Sequence, residues 1–361
     1  MPKIKVLHII PVFATGGAER LVWQYAKFLP KAVFEIAVAS CVEDGEFRVE
    51  FEKLGVKVFV GSRQTMGSRQ KVYGELNKFV AEFQPQIVHT HMLSADFFGW
   101  LLKRKYQNKI TWISTMHNVE TATSYLRQLL WRYILKRADQ VISVCQKVEN
   151  FTLKEFKIKS KKSLVILNGI DLEPWLKIPA NSLFKNPVLQ IACVGRFWEQ
   201  KGQQYLLESL ALLKIPWQLH LYGEGPLKNK LQQQAESLKI NQQIVWHGVS
   251  TNLALELAKI DLIVQPSLWE GLSLVVMEGM TASRLVIATE PAAEELVKDN
   301  FTGLVVPAKD VEKLTQTIIW VAEHPEEANK LAEAGRLYAQ KHFGLEKNLE
   351  KLIKLYENEE R

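Results

Sequence analysis

The chain has 361 residues, 47% of them hydrophobic and 24% charged, a globular profile long enough for two domains. That profile excludes a disordered chain, a collagen-like fibre and a disulfide-stapled miniprotein. Lys plus Arg total 46 against 39 Asp plus Glu, a formal charge of +7, which suits nucleic acid, an anionic membrane or an anionic small molecule without choosing among them.

The first run, Met1 to Ile10, is too short for a signal-peptide core and lacks a small-residue cleavage site, so it reads as a buried strand. Further strands are expected at Phe34–Ser40, Val56–Val60, Ile87–His89, Ile110–Thr115, Gln140–Val144 and Leu164–Leu167. A second set is expected at Leu189–Val194, Gln218–Tyr222, Ile244–His247, Leu262–Val264, Leu285–Ala288 and Leu304–Val306. Most are apolar throughout, as parallel strands covered on both faces must be. Amphipathic segments lie between them; Glu19–Leu29 carries Leu21, Val22, Tyr25, Ala26, Phe28 and Leu29 at helical spacing. This alternation predicts an α/β chain of two doubly wound, Rossmann-like domains.

The segment Asp171–Pro187, with Pro174, Pro179 and Pro187, reads as the break. Domain one is placed at 1–172 and domain two at 186–342. The tail 343–361 should form a helix, with Leu349, Leu352, Ile353 and Tyr356 on one face, packing back on domain one. Open α/β sheets bind ligands outside their strand C-termini, so a cleft between facing domains is the expected site. Cys41, Cys145 and Cys193 lie far apart in apolar runs and read as core thiols, with no zinc site or disulfide framework. No apolar run approaches the ~20 residues of a spanning helix. A cytoplasmic protein is expected, one that touches a membrane at most.

Several loops after strands carry candidate chemistry. Gly16 and Gly17 join a strand to a helix and let backbone amides approach an anion; no G-x-G-x-x-G fingerprint occurs, which weakens a dehydrogenase reading. In Gly195–Gly202, Arg196 and Lys201 flank a strand–helix loop suited to a diphosphate. Glu270-Gly271-Leu272-Ser273-Leu274 precedes a helix that carries Glu278. There the amides of Leu272, Ser273 and Leu274 can point at phosphate or sugar oxygens, and Glu278 can accept ribose hydroxyls. Alone, Gly16-Gly17 reads equally as a tight turn and Arg196 with Lys201 equally as solvated cations, while Glu270 and Glu278 read first as a capping carboxylate and a solvated helix glutamate. His89, His91 and His117 sit near strand ends. His89 and His91, on one extended segment, are read as pointing to opposite sides, so no metal site is expected. The basic, amphipathic stretch Leu126–Arg137 and the cluster Leu101–Lys105 suit an anionic lipid surface. The bland alternative is an ordinary helix burying Leu129, Leu130 and Tyr133.

Taken in order, Gly16-Gly17-Ala18-Glu19, Pro85–His91, Asn168-Gly169-Ile170-Asp171, Gly195-Arg196…Lys201-Gly202, Tyr222–Pro226 and Glu270 with Glu278 resemble glycosyltransferase family 4, retaining enzymes of the GT-B fold. The resemblance implies that Arg196 and Lys201 hold a donor diphosphate and Glu278 the ribose. Glu270 with the following amides, and His117, would contact the donor sugar. It further implies that Gly16 and Gly17 close over the β-phosphate or leave room for acceptor, that Gly223 packs near the nucleotide, and that Trp246–Val249 lie near the base. The implied reaction is retaining, metal-independent transfer from a nucleotide sugar, UDP favoured over GDP, to a glycan or glycolipid acceptor. No cofactor and no nucleic-acid partner are implied. A nucleotide-sugar epimerase and a silent nucleotide-sugar binder are the competing readings; conversion of donor without acceptor would mark the first, binding without turnover the second. Ser273, Met280–Arg284 and Thr289–Glu295 depart from the family's usual glycine-rich pattern, which bears on sugar identity rather than on phosphate binding.

Overall fold

The computed structural model describes residues 2–119, 124–179, 184, 187–250 and 252–359. They form two compact units, Met1–Gly169 with Glu346–Arg361, and Ile170–Leu345.

The first unit holds β1 (Ile4–Val12), β2 (Phe34–Glu43), β3 (Lys57–Val60), β4 (Ile87–His91), β5 (Thr111–Met116), β6 (Gln140–Ser143) and β7 (Ser163–Val165). The sheet order is β3-β2-β1-β4-β5-β6-β7, with every pairing parallel. The second unit holds β8 (Leu189–Val194), β9 (Trp217–Tyr222), β10 (Ile244–Gly248), β11 (Leu262–Gln265), β12 (Leu285–Thr289) and β13 (Leu304–Val306). Its order is β10-β9-β8-β11-β12-β13, again parallel. Each expected strand is present among the described residues. The edges differ where polarity misleads: β4 runs on to His91, because Thr90 and His91 pair with Ser114 and Thr115 although they are not apolar.

In both sheets the chain starts in the middle and winds outward first one way, then the other. The order therefore reverses between β1 and β4, and between β8 and β11. Loops leaving such neighbours diverge and open a crevice at the strand C-termini.

One local feature departs from the expected layout and one follows it. The Pro-rich break is not a bare linker: Trp175 and Ile178 are buried in the core of the second unit. Arg336 there donates to the carbonyl oxygens of Leu176 (2.6 Å) and Ile178 (2.8 Å). Apolar side chains set between the prolines give this segment something to bury. The C-terminal helix Leu345–Glu359 lays Leu352 and Tyr356, both fully buried, against Tyr25, Phe34, Ile87 and Ile113 of the first unit. The three cysteines are buried, and burial pushes the Cys193 thiol up to about 12.

Candidate active site

The reversal in the second unit gathers most of the candidate residues. After β8 the chain makes the turn Gly195–Gly202; after β11 it runs through Pro266–Ser273 into the helix Leu274–Thr281. The two loops are locked together. Gly202 has φ +64°, and a Cβ there would collide with the carbonyl oxygen of Pro266. The Leu268 amide donates to the Gln200 carbonyl at 2.7 Å. Gly223, at φ +138° after β9, leaves no room for a Cβ against the Gly195 carbonyl. Only glycine fits both the backbone angle and the space. Gly202→Ala should therefore destabilise the second unit by about 3 kcal/mol, from strain plus displacement of Pro266. Chemical denaturation would measure this.

On this frame the Lys201 ammonium pairs with the Glu270 carboxylate, one residue from each loop. Glu270 is further held by Ser267, whose hydroxyl donates at 2.8 Å, and by Gln200, whose amide donates at 3.3 Å. Ser267 is in turn fixed by Gln265, 3.0 Å away, and its carbonyl accepts from Thr289 at 2.5 Å. Glu270 is 6% exposed. A carboxylate so buried needs this set of donors to remain charged. Lys201 has three N–H donors, and the pair occupies one direction only. Ser267, Gln200 and Gln265 escaped the sequence reading because Ser and Gln carry no spacing signature.

Glu278 is wholly buried on the helix Leu274–Thr281, whose first-turn N–H groups have no acceptor within the helix. Ser273 occupies its N-cap without a capping hydrogen bond, and its hydroxyl is buried with no partner among the described residues. Gly271, Leu272, Ser273 and Leu274 thus line the approach to a helix N-terminus between Glu270 and Glu278. Arg196 stands apart, exposed, with its guanidinium 5.7 Å from the Trp198 ring. Next to Gly223, whose amide donates to the Gly248 carbonyl at 2.7 Å, the rings of Tyr222 and His247 stack at 4.3 Å.

In the first unit the loop after β1 carries Gly16 and Gly17. Gly16 is the N-cap of the helix Gly17–Phe28, and Glu19 lies buried in its first turn. His117 follows β5, and its Nε2 lies 3.0 Å from Nδ1 of His91. The expectation that His89 and His91 point apart is wrong. Their rings stack with centroids 4.4 Å apart, because positions i and i+2 of a strand share a face. With His8 they form a buried trio whose ligand atoms all lie within 4.8 Å and can hold a metal ion.

The helix Tyr125–Leu135 also differs from its bland alternative. It buries Trp131, Ile134 and Leu135, whereas Leu126 is 77% and Tyr125 71% exposed, and Leu129, Leu130 and Tyr133 also face outward. Part of the neighbouring positive charge is used internally. Lys103 pairs with Asp139 at 2.7 Å, and Arg132 donates to the Glu155 carbonyl at 2.9 Å.

Comparison with known proteins fixes the family. Residues 15–174 match the model of Glycosyltransferase Family 4, and residues 177–338 match Glycosyl transferases group 1. The chain belongs to the family 4 glycosyltransferases. This glycosyltransferase is 23% identical to the UDP-Gal:alpha-D-GlcNAc-diphosphoundecaprenol alpha-1,3-galactosyltransferase of Escherichia coli, over 98% of this chain and 97% of that one. It is 26% identical to the lipopolysaccharide core biosynthesis mannosyltransferase LpsB of Rhizobium meliloti, over 66% of this chain and 72% of the relative. Among solved structures, Anabaena HepE in complex with UDP-glucose superposes with a TM-score of 0.86 at 18% identity, covering 98% of this chain and 99% of that one. At that identity the likeness is one of fold, the GT-B fold of two Rossmann-like units.

Proposed function

We propose that the glycosyltransferase moves a sugar, with retention at the anomeric carbon, from a UDP-sugar to a hydroxyl of a glycan or glycolipid acceptor in envelope polysaccharide or lipopolysaccharide synthesis. The observation that carries this reading is the Lys201–Glu270 pair across the β8/β11 reversal. It puts a cation suited to a departing phosphate beside a carboxylate suited to sugar hydroxyls, next to a helix N-terminus. A UDP-sugar, in preference to a GDP-sugar, is supported by the UDP-Gal in the name of the E. coli relative and by the UDP-glucose bound to HepE.

Arg196 and Lys201 brace the diphosphate, and Glu278 accepts the ribose hydroxyls. Glu270, with the amides of Leu272, Ser273 and Leu274, holds the donor sugar, as does His117. Gly16 and Gly17 serve the β-phosphate or the acceptor, and Gly223 the nucleotide. In the transfer, the bond from the anomeric carbon to the β-phosphate oxygen breaks. The acceptor oxygen bonds to that carbon from the same face, and its proton passes to the departing phosphate. Fixed positive groups carry the leaving-group charge, so the reaction proceeds without a metal.

A mass-spectrometric screen of nucleotide sugars over an acceptor panel tests the reading. Glycosylated acceptor with release of UDP is expected; conversion of donor alone, or no turnover with any donor, would overturn it. UDP should raise the melting temperature more than GDP or ADP does, since a ligand at 100 times its Kd contributes about 2.7 kcal/mol.

The acceptor reading extends to the membrane. Among the described residues no helix is long and apolar enough to cross one. The exposed Leu126, Leu129, Leu130 and Tyr133, with Arg127 and Lys136 beside them, fit a cytoplasmic enzyme lying on an anionic lipid surface. Full-length protein should sediment with anionic vesicles and much less with neutral ones. Leu126→Glu with Leu130→Glu should lower the partitioning at least tenfold, because each buried leucine contributes roughly 1.5–3 kcal/mol.

A further inference from the structure

A row of buried imidazoles leads to His117. Nδ1 of His8, on β1, lies 3.0 Å from Nε2 of His91, and Nδ1 of His91 lies 3.0 Å from Nε2 of His117. His89 stands outside this row, with Nδ1 2.6 Å from the Tyr356 hydroxyl and Nε2 2.6 Å from the Thr115 hydroxyl. His8, His89 and His91 have no exposed surface, whereas His117 is only half-buried. Burial lowers the pKa of His8 to about 3 and of His117 to about 4, and holds His91 well below its ordinary value. Among the described residues no carboxylate bonds to these rings, and a buried imidazolium without a counter-charge is costly, so each ring is neutral, with one N–H and one lone pair.

Neutral imidazoles bonded nitrogen to nitrogen must all donate in one direction. Running outward, His8 donates from Nδ1 to His91, His91 donates from Nδ1 to His117, and His117 keeps its own proton on Nδ1. Running inward, the last proton sits on Nε2 of His8, which is buried and has no hydrogen-bond partner among the described residues. The inward arrangement strands a buried N–H. The outward one strands only a lone pair, and orphaned donors are the rarer of the two. A metal held by His8, His89 and His91 would break into the bonds of His89 and His91 to Tyr356, Thr115, His8 and His117. The hydrogen-bonded row keeps all of them.

We infer that His91, at the end of this row, is a positioning residue that locks His117 as the Nδ1–H tautomer, so that it presents a hydrogen-bond donor to an oxygen of the donor sugar. This rests on the assignment of His117 to that sugar. It deepens the assignment: the partner must be an acceptor, a sugar hydroxyl or carbonyl oxygen, and an analogue lacking that oxygen should be turned over poorly.

The test is a nitrogen–proton spectrum of the full chain labelled with 15N-histidine, which separates protonated from bare ring nitrogens. In the unsubstituted protein His117 should carry its proton on Nδ1. His91→Leu removes the donor that faces Nε2 of the half-buried His117, so His117 should become a mixture of tautomers and kcat should fall roughly tenfold, the worth of about one hydrogen bond. His8→Leu leaves that donor in place, and the stranded N–H of the inward arrangement would then sit on buried Nε2 of His91, so this variant should keep His117 on Nδ1 and most of the turnover, which a mere packing defect in the row would not. A proton on Nε2 of His117 in the unsubstituted protein would overturn the inference. So would a His91→Leu protein with unaltered tautomer and turnover. If His91→Leu does not fold, the unsubstituted spectrum and His8→Leu still decide. His117→Ala examines the underlying assignment separately: unchanged kcat and KM for the donor would remove His117 from the sugar site and leave the tautomer result standing.

Discussion

Lys201→Ala should lower kcat/KM at least a hundredfold and also destabilise the second unit by about 3 kcal/mol. The first effect follows from removing a fixed positive charge at a departing phosphate, where one oriented donor is worth roughly 10²–10³ in rate. The second follows from the pairing itself. Glu270 and Lys201 are both largely buried, their side chains 8% and 17% exposed. Deleting one partner leaves a charge out of water with only Ser267 and Gln200 to hold it. The two effects separate in the double variant Lys201→Met with Glu270→Gln, which keeps the volume and has no charge to strand. That protein should regain most of the lost stability in urea unfolding while turnover stays low. Recovery of turnover along with stability would show that the pair is structural and that the diphosphate is held elsewhere.

Tyr356→Ala should be the most damaging substitution in the first unit, at about 4 kcal/mol, or roughly 8–16 °C in melting temperature. The ring is fully buried against Phe34, with centroids 5.9 Å apart, and its hydroxyl meets Nδ1 of His89 at 2.6 Å. Tyr356→Phe keeps the ring and abandons His89 Nδ1, so it should cost about 1–2 kcal/mol, the penalty of one buried unpaired polar atom. Equal losses in the two variants, measured by calorimetry, would mean that the hydroxyl contact rather than ring packing fixes the C-terminal helix.

Much of this was legible in the residues because the physics is local. Unbroken apolar runs such as Leu189–Val194 have one stable fate in an alternating chain, a covered parallel strand. Gly195 and Gly202, with a cation between them, mark a loop whose backbone must turn tightly. What escaped was set by pairing across the sequence. That Lys201 meets Glu270 depends on β8 lying beside β11, 69 residues on. That His8 meets His91 depends on β1 lying beside β4, 83 residues on. The exposed face of Tyr125–Leu135 was misjudged for a related reason. A helix with apolar residues all around does not declare which face its neighbours will cover, and here they covered Trp131, Ile134 and Leu135.

The first unit is interrupted: its sheet is complete by Gly169, yet Leu352 and Tyr356 of its core arrive only after the whole second unit has been made. At a synthesis rate of about 5–20 residues per second, the intervening stretch takes roughly 9–35 s. For that time the nascent sheet shows the ribosome's surroundings an uncovered apolar face formed by Phe34, Ile87 and Ile113. The second unit, contiguous in sequence, has no such wait. Chaperone engagement during translation should therefore concentrate on the earlier-made half of the chain and end when the last helix emerges.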